Sequence, residues 1–273
     1  MSADAMLGVT VADSITTLPP DARGTVVVAA SHGGRYAAVL AARFGVRAVV
    51  FSDAGFGLEE AGVAGLDLLD ELGVPAAAIS HETALIGSGR DLWQNGEVSR
   101  ANGAARRLGA AAGQSCRACA ARLLAAPPRG PSEVAPPTEA RSLLDDRAPR
   151  VWLLDSAALV GPGDAGDVVV TGSHGALLGE RPESAVKAEV AAAFFNDAGG
   201  RATTRLGALD ARGIAAATVA AATARIGDGR STYEDGIISA CNAAARRAGV
   251  VDGIRAKEAI GALRRHLGEV RAA

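Results

Sequence analysis

Two histidines in this chain sit in the same three-residue string. Ser31-His32-Gly33 follows the apolar run Val26-Val27-Val28, and Ser173-His174-Gly175 follows Val168-Val169-Val170. Two aspartates behave alike: Phe51-Ser52-Asp53-Ala54-Gly55 returns as Phe195-Asn196-Asp197-Ala198-Gly199. An imidazole titrates at about pH 6.5, so it gives and takes protons near neutrality. A carboxylate beside it orients the ring and stabilises the imidazolium. His32 and His174 are therefore expected as proton carriers, Asp53 and Asp197 as the groups that orient them, and His81 as a further imidazole in the first half. Each string also has a structural explanation. Ser-His-Gly can be a tight strand-to-helix turn whose imidazole caps backbone groups, and Asp-Ala-Gly an Asx turn with glycine at positive φ.

The longest match joins Thr83-Ala84-Leu85-Ile86-Gly87-Ser88-Gly89-Arg90 to Thr223-Ala224-Arg225-Ile226-Gly227-Asp228-Gly229-Arg230, about 140 residues later. Glycines let backbone amides approach a ligand, and a helix N-terminus favours an anion. Asp91-Leu92-Trp93-Gln94 and Ser231-Thr232-Tyr233-Glu234 read as capping boxes that open such a helix. Gly87, Gly89, Gly227, Asp228, Gly229 and Ser231 would line an anion pocket, with Arg90, Arg225 and Arg230 clamping a carboxylate or phosphate. Gly87-Ser88-Gly89-Arg90 resembles the glycine-serine phosphate loop of sugar isomerase domains over a handful of residues; the second half carries Asp228 in place of Ser88. The full dinucleotide-binding fingerprint is absent, because the first strand leads into Ser-His-Gly.

These matches need a scaffold that says everything twice. The period is too long for a solenoid unit and reads as two copies of one domain. Even the entry strands agree, with Asp13-Ser14 mapping onto Asp155-Ser156. The apolar runs 25–30, 46–51 and 74–79 are short, rich in valine and alanine, and separated by helix-length segments. That is the pattern of parallel strands buried on both faces. Runs 8–12 and 150–154 add one strand per copy. The expected fold is α/β: a tandem duplication of a Rossmann-like, three-layer βαβ module with mostly parallel sheets and a pseudo-two-fold relation. The segment from Gly57 ends as a helix at Gly73, and its counterpart at Gly213. In the second copy Pro182 opens the first crossover helix after the insertion Gly179-Glu180-Arg181. From the capping boxes one helix is expected to run to Arg106-Arg107 and to Arg246-Arg247, with Gly96, Ser99 and Gly103 (Gly236, Ser239 and Ala243) on one face. Further helices follow at 113–125 and 253–267. The first repeat then covers 1–126 and the second 149–273, joined by the proline- and alanine-rich linker 127–148. In such a fold ligands bind beyond the carboxyl ends of the strands, where His32, His81, His174, Asp53, Asp197 and the glycine loops all fall. His266, on the last helix, reads as surface.

Composition narrows the chemistry. A net charge of −2 and a pI near 6.1 give no basic field for nucleic acid, and 3% aromatic residues offer few stacking platforms. Three cysteines, Cys116, Cys119 and Cys241, are too few for a disulfide framework. Cys116-Arg117-Ala118-Cys119 has no cysteine counterpart in the second copy, so helix surface or packing accounts for it. The N-terminal stretch to Pro20 lacks a basic region followed by an apolar core, and the alanine-rich run 214–224 is too short to span a bilayer, so a cytoplasmic protein without membrane partners is expected. Lys187 and Lys257 are the only lysines and lie outside the repeated motifs, which disfavours Schiff-base and Walker A chemistry. No cofactor is expected. His32, Asp53, His81 and Glu82 are ligand types for a divalent metal, but no local His-x-x-x-His spacing supports one. Ser31 and Ser173 lack the Gly-x-Ser-x-Gly spacing of a nucleophile elbow.

The copies also differ. His81-Glu82 become Ala221-Ala222, while Leu85 becomes Arg225 and Ser88 becomes Asp228. One composite pocket with a separate task on each side, or one decayed site, would both produce this. The leading expectation is an enzyme acting on a small anionic metabolite by His/Asp acid–base chemistry, through hydrolysis or C–X bond elimination. The alternative is a non-catalytic binder or sensor of a phosphosugar or nucleotide. Homo-oligomerisation is left open.

Overall fold

Valine- and alanine-rich runs with no polar face are stable only inside a sheet covered on both sides. In the computed structural model, which describes residues 6–272, they form two sheets. The opening residues of the segment read for a leader, 1–5, lie outside the described residues. The first sheet holds β1 (Val9–Ala12), β2 (Val26–His32), β3 (Ala48–Ser52), β4 (Ala76–Ile79) and β5 (Val98–Ala101), side by side in that order. The first four strands are parallel and β5 is antiparallel. Around it lie α1 (Arg35–Phe44), α2 (Gly65–Glu71), α3 (Gly89–Asn95), α4 (Gly103–Arg107) and α5 (Cys116–Leu123). The second sheet runs β6 (Arg141–Asp145), β7 (Val151–Leu154), β8 (Val168–His174), β9 (Ala192–Asn196), β10 (Ala215–Val219) and β11 (Ile238–Cys241), with antiparallel strands at both edges. Its helices are α6 (Thr204–Asp210), α7 (Gly229–Glu234), α8 (Ala243–Arg247) and α9 (Ala256–Ala272).

The α/β architecture with two mostly parallel sheets flanked by helices is thus as expected. The strand order runs straight across, without the reversal that opens a crevice in a doubly wound sheet. Right-handed crossovers in one direction place their helices on one face. In the first unit that face carries α1 and α2, and the opposite face packs Val26, Val28, Val50 and Ile79 against Leu92 and Trp93 of α3 and Cys116, Cys119 and Leu123 of α5. Compact units comprise Met1–Gly55 with Glu60–Thr138, and Phe56–Glu59 with Glu139–Ala273.

Three expectations need correction. The single helix expected from Asp91 to Arg107 is two helices with β5 between them, and the second unit repeats the break with α7, β11 and α8. Gly96 caps α3 because a side chain there would meet Ile79 Cγ2 at 2.7 Å, and the chain turns back to pair with β4. A four-residue strand is too short for periodicity to separate from helix. Second, the linker 127–148 contains β6, which pairs with β7 through Ser142 and Leu143. The preceding stretch is held to the first unit by Arg129, whose guanidinium donates to Leu72 O and Gly73 O at 2.7 and 2.8 Å. Third, no crossover helix begins at Pro182. A single turn, Pro182–Ser184, leads into irregular chain that buries Ala185, Val186, Ala188 and Val190.

One substitution explains that last difference. Gly65, at the start of α2, donates its amide to Gly33 O, and a Cβ there would lie 2.5 Å from Gly34 O and 2.6 Å from Ala38 Cβ. Helix α1 can seat itself only because that Cβ is missing. Arg205 occupies the equivalent place in α6, its amide bonded to Gly175 O. Its buried guanidinium fills the volume of a helix turn, donating to Ala176 O and Ala185 O and lying 5.1 Å from the Phe195 ring.

A buried asparagine closes each unit. Asn102 accepts from Ala76 N and Ala105 N and donates to Leu66 O and Val74 O; Asn242 does the same with Ala216, Ala245, Leu206 and Ile214. Every amide group of the side chain is satisfied, so each Asn ties strand, cap and helix end together.

Gly65→Ala is expected to destabilise the protein by about 1–3 kcal/mol through overpacking. Gly207→Ala, inside α6 with nothing within 4 Å of the new Cβ, should stabilise by roughly 0.5–1 kcal/mol. Urea midpoints of the two variants check both.

Candidate functional site

The strand-end histidines of the repeated string serve their own turns. His32 Nδ1 accepts from Gly34 N at 3.1 Å, and His174 Nδ1 accepts from Ala176 N at 3.2 Å. An accepting Nδ1 leaves the ring proton on Nε2. Burial pulls His32 down from 6.5 to about 4, so its ring stays neutral through the neutral range. Ser31 and Ser173 are structural as well, accepting from Ile15 N and Ala157 N at 3.0 and 2.9 Å. These contacts are those of the turn-capping explanation.

Asp53 and His81 come together instead. The Asp53 carboxylate is fully buried, and its Oδ1 accepts from Gly55 N at 2.9 Å, His81 N at 3.0 Å and His81 Nδ1 at 3.0 Å. Its Oδ2 is buried without a hydrogen-bond partner. The geometry follows from the sheet: β3 and β4 are adjacent, Asp53 N donates to Ile79 O, and the turn after β4 folds His81 back over the end of β3. Asp197 repeats the backbone part, accepting from Gly199 N and Ala221 N at 3.1 and 2.9 Å. With Ala221 in place of His81, the second unit has the turn without the imidazole. The His81 side chain is 22% exposed, so its ring borders solvent while its partner does not.

The glycine loops are closed rather than open. Ser88 and Asp228 are the N-caps of α3 and α7, accepting from Asp91 N and Ser231 N. The helices therefore start one turn earlier than the capping boxes implied, and Ser and Asp are interchangeable there as caps. Gly87 and Gly227 hold left-handed turns at φ 85° and 84°, and donate to Ala30 O and Gly172 O. Gly89 and Gly229 lie so close to the first strand that a Cβ would meet Ala12 O at 2.5 Å and Leu154 O at 2.4 Å. Their amides donate to the carboxylates of Asp13 and Asp155 at 3.0 and 3.3 Å. The seat expected for a ligand anion thus holds the protein's own carboxylate in both units. Sequence reasoning noticed Asp13 and Asp155 as repeated residues but gave them no role.

The arginines disperse. Arg90 and Arg230 are exposed on their helices. Gly87 and Gly89 bond to β2 and to Asp13, beyond β1, so Arg90 stands about three strands, or roughly 14 Å, from the end of β4. Arg225 is engaged inside the second unit by Asp228 and Glu59 at 3.2 and 3.3 Å, and Ser231 Oγ accepts from Arg225 N. One cation that sequence reasoning missed lies on the strand beside β4. Arg100 on β5, opposite Ala78 of β4, forms two parallel hydrogen bonds of 2.8 Å with Glu60. The Glu60 hydrogen bond and charge, with further help from Asp67 and Asp53, hold its guanidinium above the ordinary value.

The loop from Asp53 to Glu60 is strained. Ala54, Phe56, Glu59 and Glu60 are non-glycine residues at φ between 51° and 60°, each costing on the order of 1–3 kcal/mol. Among the described residues no group of three or more His, Cys, Asp or Glu side chains is placed to hold a metal ion, and no helix is long and apolar enough to cross a membrane. The Cys116-x-x-Cys119 pair is core packing, with burial pushing the thiols up to about 12 and about 11. Comparison of the chain with protein-family models, curated proteins and solved structures gives no match.

Two outcomes follow. The unfolded chain binds a proton at His32 near pH 6.5 that the folded protein refuses until about pH 4, so stability is expected to fall as pH drops through that window. His32→Asn, which keeps a side-chain acceptor for Gly34 N, should flatten the fall, as urea midpoints at pH 7 and pH 4.5 would reveal. The three buried thiols should resist iodoacetamide at pH 8 in the native protein and react fully in denaturant, as counted by mass spectrometry.

Proposed function

We propose that this protein is an enzyme that acts on a small anionic metabolite by acid–base chemistry at His81 and Asp53, through hydrolysis or elimination. The observation that carries the reading is the 3.0 Å contact between His81 Nδ1 and the buried Asp53 Oδ1. A carboxylate so placed keeps the ring proton on Nδ1 and the basic lone pair on Nε2. Nε2 then takes a proton from water or from the substrate as the new bond forms or the C–H bond breaks. The imidazolium produced lies against Asp53, whose desolvated charge stabilises it strongly. The same Nε2–H returns the proton to the leaving group, which closes the cycle without a net change in the protein.

The contrast within the chain supports this assignment. Asp197 makes the same turn with Ala221, so the fold does not need an imidazole at that position. Burying a carboxylate with one oxygen unpartnered is costly, and a turn alone gives no reason to place a histidine beside it. His32 and His174 are assigned to structure, and Arg90, Arg225 and Arg230 lie outside the reacting centre.

The test is a screen of carboxylate esters, amides and hydroxy acids, read by mass spectrometry of the products. His81→Gln and Asp53→Asn are each expected to lower turnover of any hit by about 100-fold or more, while His32→Asn keeps it. Asp53→Asn retains an acceptor for the backbone donors but not the charge. Full turnover in His81→Gln would refute the reading.

A further inference from the structure

The two units serve as an internal comparison, and their differences on the strand-end rim fall together. Between Gly55 and Gly65 the chain runs through residues 56–64, whereas between Gly199 and Arg205 it runs only through 200–204. The longer stretch holds Phe56, Glu59 and Glu60 at left-handed φ, and the shorter one has no non-glycine residue there. Arg100, which binds Glu60, becomes Ala240, and His81 becomes Ala221. Imidazole, guanidinium and glutamate stand at these positions of the first half and have no counterpart at the matching positions of the second. Neither fold nor packing requires them, since the second unit builds the same sheet edge without them.

We propose that Arg100 is the receptor for a substrate carboxylate, and that Glu60 occupies it in the resting protein as a stand-in for that carboxylate. The inference rests on the acid–base reading of His81 and Asp53 and assigns its substrate class. Glu60 shows what fits: a planar carboxylate meeting the guanidinium fork with both oxygens at 2.8 Å. The site is accessible, because the Arg100 and Glu60 side chains are 39% and 61% exposed. Solvent-exposed pairs of this kind hold weakly, so an incoming carboxylate can exchange with Glu60. The place is also right: Arg100 sits opposite Ala78 on the neighbouring strand, Asp53 acts on its charge, and His81 lies just past the end of that strand. A substrate anchored there by its acid group would present its remaining carbons toward the imidazole.

The test uses the full chain and succinate, titrated by calorimetry. Glu60→Asn removes the competing carboxylate and is well tolerated at positive φ. It is expected to bind succinate at least tenfold more tightly than the unmodified protein. Arg100→Gln should abolish binding, and Arg100→Lys, which keeps the charge but not the fork, should weaken it relative to Glu60→Asn when combined with that change. Succinate affinity in Glu60→Asn no greater than in the unmodified protein, or retained in Arg100→Gln, would overturn the proposal. Tighter binding of inorganic phosphate than of succinate by Glu60→Asn would overturn the carboxylate assignment. His81→Gln should leave succinate affinity unchanged, so loss of turnover without any Glu60 effect sinks this inference alone. Tight succinate binding with full turnover in His81→Gln sinks the acid–base reading alone.

Discussion

A buried carboxylate with three N–H donors on one oxygen organises the strand-end rim of the first unit. Asp53 Oδ1 receives Gly55 N, His81 N and His81 Nδ1, which binds the end of β3 to the turn beyond β4. Charge-assisted bonds to backbone amides justify burying the group. Asp197 carries the same backbone load in the second unit. The carboxylate is therefore part of the fold in both units, and the imidazole is what the first unit adds to it.

This division changes where recognition can happen. In both units the amide at the start of the glycine-loop helix is satisfied by an aspartate from the end of the first strand, Asp13 or Asp155. An internal carboxylate in that seat locks the helix to the sheet and removes the anion site that such a loop offers in other settings. The strand order also lacks the reversal at which doubly wound sheets open a crevice.

Much of the architecture was legible from residue pattern. Valine runs buried on both faces can only be interior parallel strands, and the recurring strings fall at matching positions of the two sheets. What failed did so for local physical reasons. Val98-Ser99-Arg100-Ala101 is too short for its alternation to outweigh the helix-like spacing around it, and the Ile79 contact that forces Gly96 to end the helix is tertiary. Helix α1 has no partner in the second unit because Arg205 fills the space that Gly65 leaves open, a trade that no single-copy pattern reveals. At the rim, His and Asp at strand ends are visible in the residue strings, but which of them pair is not. His32 and Asp53 follow adjacent strands and looked equivalent to any other rim pair; only the turn after β4 shows that His81 is the ring that reaches the carboxylate. Arg100 lies outside the repeated strings, since its counterpart is Ala240.

The imidazole proton distinguishes the roles assigned to the histidines. His32 and His174 accept at Nδ1, whereas His81 donates from Nδ1 to Asp53. Long-range proton–nitrogen NMR of the four ring systems, assigned by the loss of one pattern in His81→Gln, reads the tautomer of each directly. The account predicts that the neutral tautomer of His81 carries its proton on Nδ1, beside His32 and His174 protonated on Nε2. A neutral His81 protonated on Nε2 would contradict it.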